Sequence, residues 1–283
     1  MRKVLVIILV LVFLWLVSLA AVKLIGGEKF SIRSLSLNKI AIVPIEGTIT
    51  FGDDTGLIST RNANARTIVS FIEKAESDSN IKGIILEINS PGGTVVASEE
   101  IAKAVKKTKK PTIAVIKEIG TSGAYWVASA ADSIVADPMS ITGSIGVTSS
   151  YLEFSGLMEK YGVGYEEIKT GEFKDTGSPY RKLNSKEKSV LQNKINLVHD
   201  FFVDEIAKNR NLKKEDVEKL ANGMFYLGLE AKENGLVDVF GNTETAVELI
   251  KETAKIKEAS LVRYEVKRTL LDIVERFSAS KNF

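Results

Sequence analysis

The chain has 283 residues, 45% of them hydrophobic and 26% charged, with a formal net charge of +2. That is enough apolar material for one large or two modest domains, and too little net charge to call for nucleic acid or another strongly anionic partner. No cysteine is present, which removes disulfides and thiolate chemistry, and a single histidine, His199, excludes a site built from several histidine metal ligands.

Val4 to Val22 carries no charge and follows Arg2 and Lys3. Its length is close to the ~20 apolar residues that cross a bilayer as a helix, so it predicts an N-terminal membrane anchor. The alternative is a cleaved signal peptide, for which Ser18-Leu19-Ala20 offers a small-x-small site. A short amino-terminal stub places the bulk of the chain outside the cytoplasm, although Lys23, Lys29 and Arg33 weaken the charge bias. The organisation expected from this is an anchor over 1–25, a linker over 26–38, a main domain over 39–255 and a strand–helix extension over 256–283.

Lys39 to Ile49 reads as a first strand, followed by a Gly/Asp-rich loop from Gly52 to Gly56. Ile68, Phe71, Ile72 and Ala75 fall at i, i+3, i+4, i+7 and predict an amphipathic helix. Ile81 to Asn89 is a second strand that ends in Ser90-Pro91-Gly92-Gly93 and leads into a helix from about Val95 to Lys109. Thr112 to Ile119 is a third strand, interrupted only by Lys117 and Glu118, and Ser133 to Ala136 is a short fourth. Strands alternating with helices imply a parallel α/β sheet with helices on its faces.

Downstream, Leu157 to Tyr161 predicts a helix, Tyr165 to Lys169 an extended segment, and Gly171 to Arg181 a loop. A long helix runs from Ser185 to about Lys208 with Leu191, Ile195, Val198, Phe202 and Ile206 on one face, and His199 lies within it. Shorter helices follow over Lys213–Ala221, Leu229–Asn234 and Thr243–Ala254. The tail, Leu261 to Phe283, reads as a strand and then a helix carrying Leu270, Leu271, Val274 and Phe277.

The third strand breaks at Gly120-Thr121-Ser122-Gly123, before a run of small and aromatic residues that suits a buried helix. Ser122 therefore sits at a strand-to-helix turn flanked by glycines, a setting that can hold a nucleophile out of the packing with backbone N–H groups close by. A helix N-cap is the other role for a serine there. The turns at Gly92-Gly93 and Gly120–Gly123 both follow carboxyl ends of strands, which share one edge in an open parallel sheet, so their amides could serve one point. With no cysteine and His199 remote from these turns, a serine nucleophile needs another base. Lysine suits, because burial in apolar surroundings favours its neutral amine.

NSPGG at Asn89–Gly93, TSGAYW at Thr121–Trp126, TGSIGV at Thr142–Val147 and GEFKDTGSPYR at Gly171–Arg181, in that order, resemble the short form of signal peptide peptidase A. The resemblance runs from about Ile40 to Leu249. It implies the Clp-protease/crotonase-like fold and a Ser-Lys dyad, with Ser122 as nucleophile, Lys174 as general base and Ser144 as the hydroxyl that orients the lysine. It also implies an oxyanion hole from the N–H groups of Gly93 and Gly123. Many members have a second glycine where this chain has Ala124, which still permits a tight turn.

The same resemblance implies remnant signal peptides and other unfolded polypeptides as substrates, neither metal nor cofactor, and a homo-oligomeric ring, octameric in the short form. In that ring neighbouring subunits contribute serine and lysine, so a lone chain would be inactive. A Clp-class membrane protease acting on one membrane partner shares the dyad logic. An acyl-CoA hydratase or isomerase of the crotonase fold would need acidic residues at the site, where only Glu118 is near, and a dead scaffold would not need Ser122, Ser144 and Lys174 together.

Overall fold

A computed structural model describes residues 12–13, 38–52 and 62–265. All of these except residues 12–13 belong to one unit, Asn38–Phe283. In chain order its elements are β1 (Lys39–Glu46), β2 (Thr48–Thr50), β3 (Asn62–Asn64), α1 (Ala65–Ser77), β4 (Ile81–Ser90), α2 (Val95–Lys107), β5 (Thr112–Thr121), α3 (Gly123–Ser129), β6 (Ser133–Ala136) and β7 (Ile141–Gly143). Then come α4 (Ser155–Lys160), α5 (Ser185–Arg210), α6 (Lys214–Leu220), β8 (Phe225–Leu227), α7 (Gly228–Glu233), β9 (Val239–Phe240), α8 (Thr243–Thr253) and β10 (Ser260–Arg263).

Six strands form the path β10-β1-β4-β5-β6-β9, every pair of it parallel. Alternation along the strands sends side chains to two layers. On β1, Ala41, Val43 and Ile45 join the larger core with Ile68 and Ile72 of α1, Ile101 of α2, Trp126 of α3 and Phe202 of α5. Ile40 and Ile42 face the other way and pack with Ile85, Ile113, Val115 and Val135 against Ala246 and Ile250 of α8. Helices on both faces of a largely parallel sheet fit the Clp-protease/crotonase-like expectation.

Differences from the sequence reading have local causes. The first strand divides because Gly47 takes a positive φ of 79°, which turns the chain into β2. Lys117 and Glu118 mark the point where β5 exchanges neighbours: Ile113–Ile116 pair with β6 and Ile119–Thr121 pair with β7. The sheet is not wholly parallel, since β8 runs antiparallel to β7. Tyr165 to Lys169 forms no strand. Of the expected apolar face of α5, Leu191, Ile195 and Val198 are only half-buried, whereas Phe202 and Ile206 are fully inside.

Among the described residues no helix is long and apolar enough to cross a membrane. The expected span over Val4–Val22, apart from Val12 and Phe13, and the helix expected beyond 265 lie outside the described residues.

Candidate active site

The register of β5 on β7 ends at Thr121 opposite Gly143, and the Ser122 N–H continues it by donating to the Gly143 carbonyl at 2.8 Å. The next residue of each strand is a serine. Ser122 has φ 53° and Ser144 has φ 50°, so both leave the sheet through a backbone conformation that non-glycine residues rarely adopt. Ser122 occupies the N-cap position of α3, but its side chain makes no capping hydrogen bond, and Oγ has no partner among the described residues. The N-cap role is therefore unfilled, and a half-buried hydroxyl stands free at a strained turn.

The helix that follows fixes this turn from below. Trp126 stacks on Phe202 of α5 with ring centroids 4.9 Å apart, and the buried Tyr125 hydroxyl donates to the Leu236 carbonyl at 3.0 Å. The NSPGG segment is fixed from the side. Thr121 Oγ1 donates to the Pro91 carbonyl at 3.1 Å, the Gly92 N–H donates to Ser90 Oγ at 3.1 Å, and Asn89 Oδ1 accepts the Ile119 N–H at 3.2 Å.

Space at these turns admits hydrogen alone. Gly92 has φ 101°, and a Cβ there would lie 2.8 Å from the Gly123 nitrogen and 2.9 Å from Ser122 Cβ. A Cβ on Gly123 would lie 2.2 Å from Ser98 Oγ and 3.3 Å from the Gly93 nitrogen. The Gly93 and Gly123 amides are thus neighbours beside Ser122, and neither N–H finds an acceptor among the described residues. Unpaired, preorganised donors next to a free hydroxyl are what a developing oxyanion requires.

Ser144 Oγ donates to the Gly223 carbonyl at 3.0 Å, and the Ser144 N–H donates to the Met224 carbonyl at 3.0 Å. The fold thus brings Ser122, Ser144, Gly93 and Gly123 together. It does not bring Lys174 to them within one chain by any hydrogen bond. Lys174 is exposed in the turns that follow Gly171, and Nζ makes no hydrogen bond or ion pair among the described residues. Glu118, the carboxylate nearest in sequence to the serine turn, is solvent-exposed.

What surrounds Lys174 is a charge network that sequence reasoning missed. Asp175 accepts hydrogen bonds from both Arg181 and Lys169, and Arg181 also reaches Glu187 with two bonds of 2.9 and 2.5 Å. Glu187 is 1% exposed at the first turn of α5, where it closes a capping box with Asn184. The capping spacing was visible in Asn184–Glu187, but the pairing of Arg181 with it was not. The Arg181 guanidinium lowers the Glu187 carboxyl to about 2, helped by the Asn184 N–H, and holds Asp175 well below the usual carboxylate range, helped by Lys169.

Both carboxyls bind protons less readily folded than unfolded, so their stabilisation is full above the unfolded value of about 4 and is lost as pH falls toward about 2. Proteolytic protection of 171–184 should accordingly hold from neutral pH to about 4 and collapse below it. Loss of protection already near pH 6 would assign the docking to another group.

The family model for the N-terminal domain of NfeD1b matches residues 41–153, and that for peptidase family S49 matches residues 104–257, more than half the chain. The chain belongs to peptidase family S49. As a family S49 member it is a serine protease. A protein of Methanocaldococcus jannaschii described as a protease is 36% identical over 93% of this chain and 87% of its own length. One of Enterococcus faecium described as signal peptide peptidase SppA is 37% identical over 81% of this chain and 68% of its own. Protease 4 of Haemophilus influenzae is 36% identical over 80% of this chain, which spans only 36% of that relative.

Proposed function

We propose that this family S49 protease is a membrane-anchored Ser-Lys endopeptidase that degrades remnant signal peptides and other unfolded polypeptides. The observation that carries the reading is the free Ser122 hydroxyl, uncapped at φ 53° beside the unpaired amides of Gly93 and Gly123. In the first step a neutral Lys174 takes the Ser122 proton as Oγ attacks a peptide carbonyl, the two amides hold the oxyanion, and the amine product leaves with a proton from Lys174. In the second, Lys174 activates the water that releases the acyl group.

The lysine is supplied by a neighbouring copy in a homo-oligomeric ring, an octamer by resemblance. The separate lodging of Lys174 supports this, as do the side chains left bare on its side of the chain: Leu152, Leu157 and Tyr161 are exposed, and Ile168 is 100% exposed. These four exposed large apolar side chains between positions 152 and 168 favour cover by a neighbouring copy. The catalytic unit lies outside the cytoplasm behind the anchor over 1–25. The Clp-class alternative, a protease for one membrane partner, differs in cleavage pattern rather than chemistry.

The test is hydrolysis of a signal-peptide-like substrate by detergent-solubilised full-length protein. Wild type should cleave within the apolar segment, and Ser122→Ala and Lys174→Ala should each lower kcat by at least about ten-thousand-fold at unchanged assembly. An assembled but inactive wild type, or a Lys174→Ala chain that keeps its rate, would sink the dyad.

A further inference from the structure

Ser144 has one hydroxyl proton, and the fold commits it to a backbone carbonyl. Its Oγ donates to Gly223 at 3.0 Å, and because a carbonyl oxygen only accepts, the direction of this bond is unambiguous. Oγ is then left with lone pairs alone for any further partner. Two more bonds lace the same segments together: the Ser144 N–H to the Met224 carbonyl and the Gly223 N–H to the Ile145 carbonyl, both at 3.0 Å. Contact is close, for a Cβ on Gly146 would lie 3.0 Å from the Gly223 Cα.

The turn that carries Gly223 is anchored in its own right. Asn222 Oδ1 accepts the Met224 N–H at 2.9 Å, and Gly223 has φ 85°. From α5, the chain's single histidine meets the Ala221 carbonyl through Nε2 at 2.8 Å, and against a carbonyl that nitrogen must carry the proton. His199 donates in the same way whether its ring is neutral or charged, so it acts as an anchor and not as a switch.

We infer that the turn 221–224, pinned to α5 by His199, is a positioning element that holds the Ser144 hydroxyl as a pure acceptor for the catalytic amine. The inference rests on the Ser122–Lys174 reading and adds to it the direction of every proton. A neutral lysine amine donates one N–H to Ser144 Oγ, which turns its lone pair toward the Ser122 hydroxyl. The Ser122 proton then moves to Nζ as the Oγ–carbon bond forms, and the ammonium remains bound to an acceptor. No proton passes through Ser144, Gly223 or His199.

The experiment is the pH dependence of peptide hydrolysis by the full-length assembled protein and its variants. In Gly223→Ala a side chain at positive φ displaces the carbonyl, and kcat should fall about tenfold with KM unchanged. The acid limb of kcat should also move to lower pH, because an acceptor that favours the ammonium form has been lost. Gly223→Asn, which tolerates the left-handed backbone, should stay within about twofold of wild type in kcat and keep its acid limb. His199→Ala should change both readouts in the same direction to a smaller extent, and His199→Gln, whose amide nitrogen can replace Nε2–H, should restore them.

A rate loss in both Gly223 variants with the acid limb in place would make the turn a folding element and overturn the inference, as would wild-type behaviour of Gly223→Ala. Ser144→Ala and Lys174→Ala run beside them separate the two levels. If those chains keep their rate, the dyad reading has failed and this one with it. If they lose it while Gly223→Ala does not, the positioning role alone has failed.

Discussion

Equal amounts of Ser122→Ala and Lys174→Ala chains, unfolded and reassembled together, should recover about a quarter of the wild-type rate, although each alone is inactive. The figure follows from a site shared between neighbours. Random mixing gives each junction about an even chance of an intact serine from one copy and an independent, equal chance of an intact lysine from the next. Within one chain, Ser122 is gathered with Ser144 and the two glycine amides, while Lys174 stands in an exposed turn with no bond to any of them. A dyad closed within one chain would give no recovery at any mixing ratio. The readout therefore tests the shared site separately from the identity of the base, which the single variants test.

Gly93→Ala should lower kcat by about a hundred- to a thousand-fold, the loss seen when one oxyanion donor is removed, and should lower stability by about 1–3 kcal/mol. A Cβ at Gly93 would lie 1.9 Å from the Ile49 carbonyl oxygen and 2.7 Å from the Ile49 nitrogen. Those atoms cannot step aside. The Ile49 N–H is bonded to the Gly92 carbonyl at 2.8 Å and the Ile49 carbonyl to the Thr94 N–H at 2.9 Å, so Ile49 grips the PGG turn from both sides of Gly93. The turn itself must swing out, and its free amide leaves Gly123. A stable Gly93→Ala protein with wild-type kcat would remove this amide from the oxyanion hole.

Much of this architecture was legible in the sequence because it depends on local periodicity. Ile81–Ser90, Thr112–Thr121 and the helices Ala65–Ser77 and Val95–Lys107 stand within a few residues of where apolar spacing and glycine breaks place them. Ile141–Gly143, Phe225–Leu227 and Val239–Phe240 were not seen, since strands so short are defined by the neighbour that pairs with them. The site divides in the same way. The serine turn and the PGG turn announce themselves by glycines at strand ends. The commitment of the Ser144 proton to Gly223, and of Arg181 to Asp175 and Glu187, joins residues that no spacing rule relates. In the proposed shared site the position of Lys174 relative to Ser122 would be set by assembly, which one chain's pattern does not encode.

The twin positive φ angles at Ser122 and Ser144 set selection for durability against selection for turnover. Glycine at either position would relieve backbone strain of about 1 kcal/mol or more, so the easiest stabilising replacements in this region delete the proposed nucleophile or the hydroxyl proposed to assist it. A laboratory screen that rewarded only survival on heating would drift toward inert variants here. Keeping both serines in such a library requires that every round also score peptide cleavage.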